Sequence, residues 1–524
     1  HYEAGDDPYY TRIANKIILM ADGYLNTDMA HYTFADQMRG NFYDFKERFM
    51  AWGYAYNITG DRKYVDAAVE QFRIIDEEMP DFNIPHILDA GQALRGVAIG
   101  FDWLYNGFTE EQRERYAKMI IDKGLEPLGD GLYGRIPTLS LSATGRKFLL
   151  RDNINAICCA GVFDACVALM EYAPEDCLGY TAEAVRAMDL PLSLLAPDGG
   201  WNESASYWEY MMQSLIWGTA ALERAYGTSY GLMSSQGEEN TINWALATFG
   251  NVYNNTYGDG KPVKDQSYTA FNYFGKLDGN RAAIQARKRD IEKRGDVAIN
   301  YNDAVFYDFS NNDTTAADLD GMSNIVRVNG VEMVTIRDTF DYDTSNMFFS
   351  THFGTTSGYH QHNDCGTFVL DLMGERWAHD YGQDDYGLQN FKGYKEWQLY
   401  RYRAEGHNCM VINPKGHTQD HAIVQKQFAE ILASDANEYG GYVYADMSDA
   451  YAEASKMTLG YYIDDNMNSV TMRNEFTLNE DNDVYWFLQT PADAVVSGDT
   501  VFLMQNGKTL KMEFISSSAG GEWE

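Results

Sequence analysis

Apolar positions along the chain follow two rhythms. From about residue 9 to 292 they recur every three or four residues. In Asn41–Tyr56, Phe42, Phe45, Phe49 and Trp52 form one stripe, the pattern of an amphipathic helix. Asn-Ile-Thr-Gly at 57–60 ends that run, and Asp61 is placed to cap a second helix through Tyr64, Ala67, Ala68 and Phe72. The grammar repeats with Ala93–Tyr105, a short turn, and Thr109-Glu-Glu-Gln112 as a capping box. Further helices are predicted over Asn153–Glu171, Thr181–Leu195, Glu203–Tyr226 and Glu238–Phe249. Helical hairpins in series, joined by short polar turns, predict a toroid or solenoid over a four-helix bundle.

From about Asn300 the period shortens to two. Strands are predicted at Ala304–Phe309, Gly321–Asn329, Val331–Arg337, Ser345–His352, Thr367–Met373, Asn408–Ile412, Thr471–Leu478 and Val484–Leu488. The break lies near 290–303, after the charged run Arg287–Arg294. The predicted class is thus α+β multidomain. Residues 1–295 make an N-terminal (α/α) toroid of helical hairpins, and residues 296–524 make an antiparallel β-sandwich. The stretch 380–407 is long, aromatic and without a predicted element, which marks it as functional. Ser516–Glu524 reads as an interrupted strand region, so the natural chain is expected to continue. It begins at His1, not Met, so a leader is expected to have been removed or trimmed.

Composition narrows the function classes. With 77 acidic and 41 basic residues the formal charge is −36, which argues against general nucleic-acid binding and against anionic membranes. No apolar run approaches the roughly 20 residues of a membrane span. The 6 Cys show no CxxC pair and no dense framework, so a disulfide-stapled fold is not expected. Aromatics reach 14%, suited equally to a carbohydrate cleft and to large cores. Against the acidic background, residues 131–151 hold Arg135, Arg146, Lys147 and Arg151 and no acid. That segment reads either as a solvated loop or as an anion-binding wall beside Asn153.

Candidate chemistry concentrates in Tyr359-His-Gln-His-Asn-Asp-Cys-Gly-Thr-Phe368. On a strand, His360, His362 and Asp364 share one face. They read either as a polar surface strand or as a metal or acid–base site. Asp380 in Trp377-Ala-His-Asp-Tyr-Gly382 and His407 in Glu405-Gly-His-Asn408 favour the second. Two imidazoles and a carboxylate suit Zn²⁺. In the helical half, Asp152 or Asn153 is placed to cap a helix. Tyr207 and Tyr210 lie three apart on one helix face. Taken singly, these tyrosines read as core or surface residues.

Together these segments resemble the heparinase II/III-like polysaccharide lyases, which join an (α/α) toroid to an antiparallel β-sandwich. The likeness runs from Tyr56-Asn-Ile-Thr-Gly-Asp-Arg-Lys-Tyr64 through Phe101-Asp-Trp-Leu-Tyr105 to His407-Asn408. Its most specific motif is His-x-His-x-Asp-x-Gly-Thr-Phe at 360–368, followed by Gly-Glu-x-Trp-x-x-Asp-x-Gly at 374–382. The resemblance implies catalytic roles for Asn153, Tyr207 and His360. It implies a structural zinc held by His362, Asp380 and His407. Asn153 lies in Asp-Asn-Ile-Asn, which departs from the family's Asn-Asn-Trp-Asn-like helix start, and Tyr207 falls in Asp-Gly-x-x-x-Glu-x-x-x-Tyr. Substrate contacts are expected at Arg146, Arg151, Glu203, Tyr210, Arg401 and Arg403.

The implied reaction is β-elimination in a uronic-acid polymer, a glycosaminoglycan or an alginate-like chain, giving 4,5-unsaturated uronate ends. The implied partner is an acidic polysaccharide met in the periplasm or outside a bacterial cell, and the oligomeric state stays open. A toroid glycoside hydrolase using Asp198 and Glu203 is the first alternative. It leaves the His-x-His-x-Asp segment and Asn153 without a role. A non-catalytic carbohydrate-binding protein is the second. It would not need Tyr207, His360 and Asn153 together.

Overall fold

The computed structural model describes residues 7–31, 39–82, 87–133, 151–263, 268–307, 313–341, 343–355, 360–386, 388, 398–414, 429–464, 466–515 and 521–523. The chain divides into two compact units. One comprises His1–Ala196, Trp208–Glu239 and Ser267–Asp313, and the other comprises Pro197–Tyr207, Asn240–Gln266 and Thr314–Glu524.

The first unit is built from α1 (Pro8–Leu25), α2 (Arg39–Thr59), α3 (Lys63–Glu78), α4 (Ile87–Leu104), α5 (Glu110–Ile120), α6 (Glu126–Leu132), α7 (Asn153–Ala168) and α8 (Pro174–Leu192). It also holds most of α9 (Ser204–Tyr226). α10 (Glu238–Ala247) begins here, and α11 (Phe271–Asp278), α12 (Arg281–Arg294) and α13 (Tyr301–Phe306) complete it. The sequence signals act locally as expected. The side chain of Thr109 accepts from the Gln112 N–H, and the Gln112 side chain accepts from the Thr109 N–H. Asp61 accepts from the Lys63 N–H at 3.0 Å, and Asp152 caps α7 by accepting from the Asn155 N–H at 3.0 Å. α4 is buried almost all round, from Ile87 to Phe101, and packs against α2 and α7. The predicted stripe on α2 becomes an aromatic core, with Phe49 4.5 Å from Phe72 and Phe72 stacked on Tyr116 at 4.4 Å between ring centres.

In the second unit, β1 (Ile325–Val328), β2 (Met333–Arg337), β3 (Met347–His352), β4 (Thr367–Leu372) and β5 (Glu375–Ala378) form an antiparallel sheet in sequence order. β6 (Met410–Ile412) pairs with β11 (Val484–Trp486). β7 (Glu430–Asn437), β8 (Gly440–Asp446), β9 (Ala454–Ile463) and β10 (Val470–Leu478) make a second antiparallel sheet, ordered β10-β9-β8-β7. β12 (Asp493–Ser497), β13 (Thr500–Gln505) and β14 (Lys508–Glu513) make a third. Alternation decides the packing. Ile336, Phe349, Phe368 and Leu370 join one core with Val443, Met457, Leu459 and Tyr461. The Tyr461 ring lies 5.0 Å from Phe349 and 5.2 Å from Phe368, and its hydroxyl donates to the Gly366 carbonyl. The first two sheets are thereby packed face to face. The class expected from the sequence, helices of the toroid type followed by an antiparallel sandwich, is the class found.

Three expectations need correction. Ala304–Phe306 is helical, not a strand, and 308–309 lie outside the described residues. Asn300 and Asp303 form a capping box there, and Asp303 is held by the Arg287 guanidinium at 2.5–2.7 Å. This buried pair outweighs the local alternation. Strands β5, β7, β8, β9, β12, β13 and β14 were not expected. Residues 360–366 are not strand either, and β4 begins only at Thr367.

Candidate active site

The site in the second unit starts from the face of the first sheet that points away from the hydrophobic core. Thr335, Arg337, Ser350 and Asp371 are polar and buried on that face. They hold the chain that follows α10. Thr335 Oγ1 donates to the Ala247 carbonyl at 3.1 Å, and Arg337 Nη1 to the Phe249 carbonyl at 2.7 Å. The Val252 N–H donates to Asp371 at 2.9 Å, and Asn255 Nδ2 to Ser350 Oγ at 2.8 Å. Arg376, paired with Asp371, reaches the Tyr253 carbonyl. A buried polar face needs such partners. Here they lay residues 247–256 on the sheet and deliver Tyr257-Gly-Asp-Gly260 against the loop before β4.

The two segments interlock through the main chain. The Asp259 N–H donates to the His360 carbonyl at 2.8 Å, and the Gly258 N–H to Asp364 Oδ2 at 2.6 Å. The Asn363 N–H goes to the Tyr402 carbonyl at 3.1 Å. These bonds replace a strand ladder and explain the correction at 360–366. Gly258 has φ +53°, and a Cβ there would stand 2.2 Å from the His360 oxygen, so the turn requires glycine. His360 itself has φ +61°, a region that non-glycine residues seldom occupy.

The Asp259 carboxylate is the centre of the cluster. Its Oδ1 lies 2.9 Å from His362 Nε2, and its Oδ2 lies 2.7 Å from both His360 Nδ1 and the Tyr386 hydroxyl. The Tyr386 hydroxyl also bonds the Tyr207 hydroxyl. The Tyr207 and His360 rings are stacked, with centroids 4.2 Å apart and planes 23° apart. Burial would raise the Asp259 carboxyl, but the bonds with His360 and His362 outweigh it and hold the group well below the usual carboxylate range. Burial and the Asp259 charge push the Tyr386 phenol far above the ordinary tyrosine value, so it remains a proton donor. Asp259 and Tyr386 were not singled out from the sequence. An aspartate between two glycines at 258–260 was the available signal for the first, and the aromatic stretch 380–407 for the second.

The proposed metal set forms a second layer. The rings of His362 and His407 have centroids 5.3 Å apart, and Tyr402 lies 4.2 Å from His362. His407 Nδ1 is 2.8 Å from Asp380 Oδ2, and the Gly382 N–H donates to Asp380 Oδ1 at 2.8 Å. Burial opposes both charges, yet their pairing lowers the Asp380 carboxyl and raises the His407 imidazole. Among the described residues, the remaining ring nitrogens, His362 Nδ1 and His407 Nε2, are buried without a hydrogen-bond partner. Two such imidazole nitrogens backed by carboxylates fit the donor chemistry of zinc. As placed, no group of three or more His, Cys, Asp or Glu side chains stands close enough to hold a metal ion among the described residues.

The other expected residues are distributed as follows. Asn153 is buried at the start of α7 in the helical unit, beside the exposed Arg151, and Tyr210 lies in that unit near Gln92. Arg146 lies outside the described residues. Glu203 is buried and accepts from the Trp201 indole at 3.1 Å. Arg401 donates to the Tyr381 and Gln383 carbonyls at 3.0 and 2.8 Å, so it braces the loop after Asp380. Arg403 is buried 4.0 Å from Glu405. Asp198, the first carboxylate of the hydrolase alternative, accepts from the Asn329 main chain and side chain. All 6 Cys are buried, and none is in a disulfide.

Residues 336–520 match the family described as Heparinase II/III-like, C-terminal. Solved structures agree on the fold. Heparan sulfate lyase HepC from Pedobacter heparinus matches with TM-score 0.61 at 12% identity, covering 94% of this chain and 74% of its own. Heparinase III matches with TM-score 0.62 at 12% identity, covering 94% and 76%. Among curated protein sequences no significant relative is found. No helix among the described residues is long and apolar enough to cross a membrane.

Proposed function

We propose that the protein is a polysaccharide lyase that cleaves uronic-acid-containing polymers by β-elimination. The observation that carries the reading is the contact between Tyr207 and His360, stacked at 4.2 Å and tied together through Tyr386 and Asp259. A phenol and an imidazole side by side supply an acid and a base to one sugar ring. The heparinase-like domain and fold support the same class.

In the proposed reaction the uronate carboxylate is neutralised and the enolate that develops from it is stabilised, the role expected of Asn153 from the family resemblance. The C5–H bond breaks, and its electrons form the C4–C5 double bond. The C4–O4 bond breaks, and Tyr207 gives its proton to the departing oxygen. Stereochemistry at C5 assigns the base. Where the C5 hydrogen and O4 leave from one face, Tyr207 enters as the phenolate, takes the C5 proton and passes it to O4. Where they leave from opposite faces, His360 takes the C5 proton. The substrate is a glycosaminoglycan or alginate-like chain met in the periplasm or outside the cell.

His362, His407 and Asp380 would hold zinc. Bound there, the ion would supply a fixed charge and a rigid anchor behind the loop that carries His360. Support comes from the two buried, unpartnered imidazole nitrogens. The test of function is direct: purified protein is given heparan sulfate, chondroitin, hyaluronan and alginate in turn. Ultraviolet absorbance from an unsaturated product with at least one polymer is expected. Reducing ends released without that absorbance refute the proposal.

A further inference from the structure

A carboxylate accepts hydrogen bonds and donates none. Asp259 therefore obliges every neighbour that bonds it to point a proton inward. His360 does so through Nδ1, His362 through Nε2 and Tyr386 through its hydroxyl, and the Tyr402 phenol also interacts with the Asp259 carboxylate. Asp259 is almost fully buried, so water does not compete for these positions.

We infer that Asp259 is the positioning residue of the site, a single carboxylate that sets the proton inventory of both histidines and both tyrosines. This deepens the lyase reading and rests on it. With Nδ1 turned to Asp259, His360 presents Nε2 on the side of the ring away from the carboxylate. With Nε2 turned to Asp259, His362 presents Nδ1, which is buried without a hydrogen-bond partner among the described residues. Tyr386 spends its proton on Asp259, so the bond between the two phenols runs from Tyr207 to the Tyr386 oxygen. The Tyr207 proton is then held in place within the cluster. The main chain of Asp259 adds a second constraint. Its N–H grips the His360 carbonyl at 2.8 Å and helps hold that residue at φ +61°. One residue thus fixes the backbone, the ring plane and the tautomer of His360.

The roles of His360 and His362 differ although both bond the same carboxylate, because opposite ring nitrogens are used. That asymmetry makes the inference testable without substrate. In protein labelled with ¹⁵N in its histidine rings, His360 is expected as the Nδ1–H tautomer and His362 as the Nε2–H tautomer. Single His→Gln variants assign the two signals. Asp259→Asn keeps the size but replaces one acceptor oxygen with a donor. It is expected to disturb both tautomers and to lower kcat at least ~10²-fold, since a misdirected tautomer disables a histidine base, with KM changed less than about threefold. Asp259→Glu is expected to recover part of the rate. Turnover of Asp259→Asn within about threefold of the parent, or an Nε2–H tautomer at His360 in the parent protein, overturns the inference. The parent's ring signals decide even where Asp259→Asn does not fold. They also separate the two claims: a parent that cleaves no uronate polymer refutes the lyase reading, while its tautomers still test Asp259.

Discussion

Two buried carboxylates, one in each unit, show how similar burial serves different ends. Asp303 in the helical unit is satisfied by Arg287, by Asn272 at 2.7 Å and by the Asn300 N–H at 2.8 Å. Its charged partner is a guanidinium that never loses its proton in water. Among the described residues, no guanidinium is paired with Asp259 in the sheet unit. Its side-chain partners include His360, His362 and Tyr386, all of which can exchange protons. The first arrangement locks an element in place. The second holds groups that can do acid–base work. Burial and pairing alone do not mark a functional carboxylate; the nature of its partners does.

The comparison breaks most visibly at Asp303. Asp303→Ala leaves the buried Arg287 with Asp290 as its remaining salt-bridge partner, and is expected to destabilise the helical unit by ~3 kcal/mol. Chemical denaturation with a helix-sensitive signal checks this. An unchanged midpoint would mean that the pair does not hold the element. Tyr207→Phe is expected to act in the other direction, lowering kcat by at least ~10² while the melting temperature stays within a few degrees. Steady-state kinetics beside a thermal scan read both, and near-parental turnover would move the proton donor elsewhere.

His362→Ala sharpens the contrast within the sheet unit. It removes one imidazole donor of the proposed zinc set, and metal content per chain should fall along with the melting temperature. Elemental analysis of protein purified without chelator measures this. Parent protein with zinc well below one equivalent, full activity and no gain on adding zinc would reject the metal.

Glu238→Gln probes a buried acid, and its effect is expected only at alkaline pH. Burial and the nearby Asp278 charge raise the Glu238 carboxyl to about 8. A raised carboxyl favours the folded state below its ordinary value near 4.5 and loses that contribution as pH rises through 8. The variant should therefore gain stability relative to the parent at pH 8.5 but not at pH 5. Equal shifts at both values would deny the raised carboxyl.

Much of the fold was legible because helix signals are local. The Thr109 capping box and the stripe of Phe45, Phe49 and Trp52 needed only neighbouring residues to be read. Tyr301–Phe306 was misread because its helix depends on Arg287, a partner distant in sequence. The same limit applied at the site. His360, His362 and His407 stood out by residue type and spacing. Asp259 did not, since its meaning arises only when the polar face of the first sheet carries residues 247–256 across to the histidine loop.

The central claim is β-elimination by the cluster around Tyr207 and His360. Digesting uronate polymers in H₂¹⁸O, with the parent and Tyr207→Phe side by side, tests it most directly by product mass. The account predicts unsaturated fragments without ¹⁸O from the parent and almost none from the variant. Saturated fragments carrying ¹⁸O at the new ends, formed equally by both proteins, would contradict it.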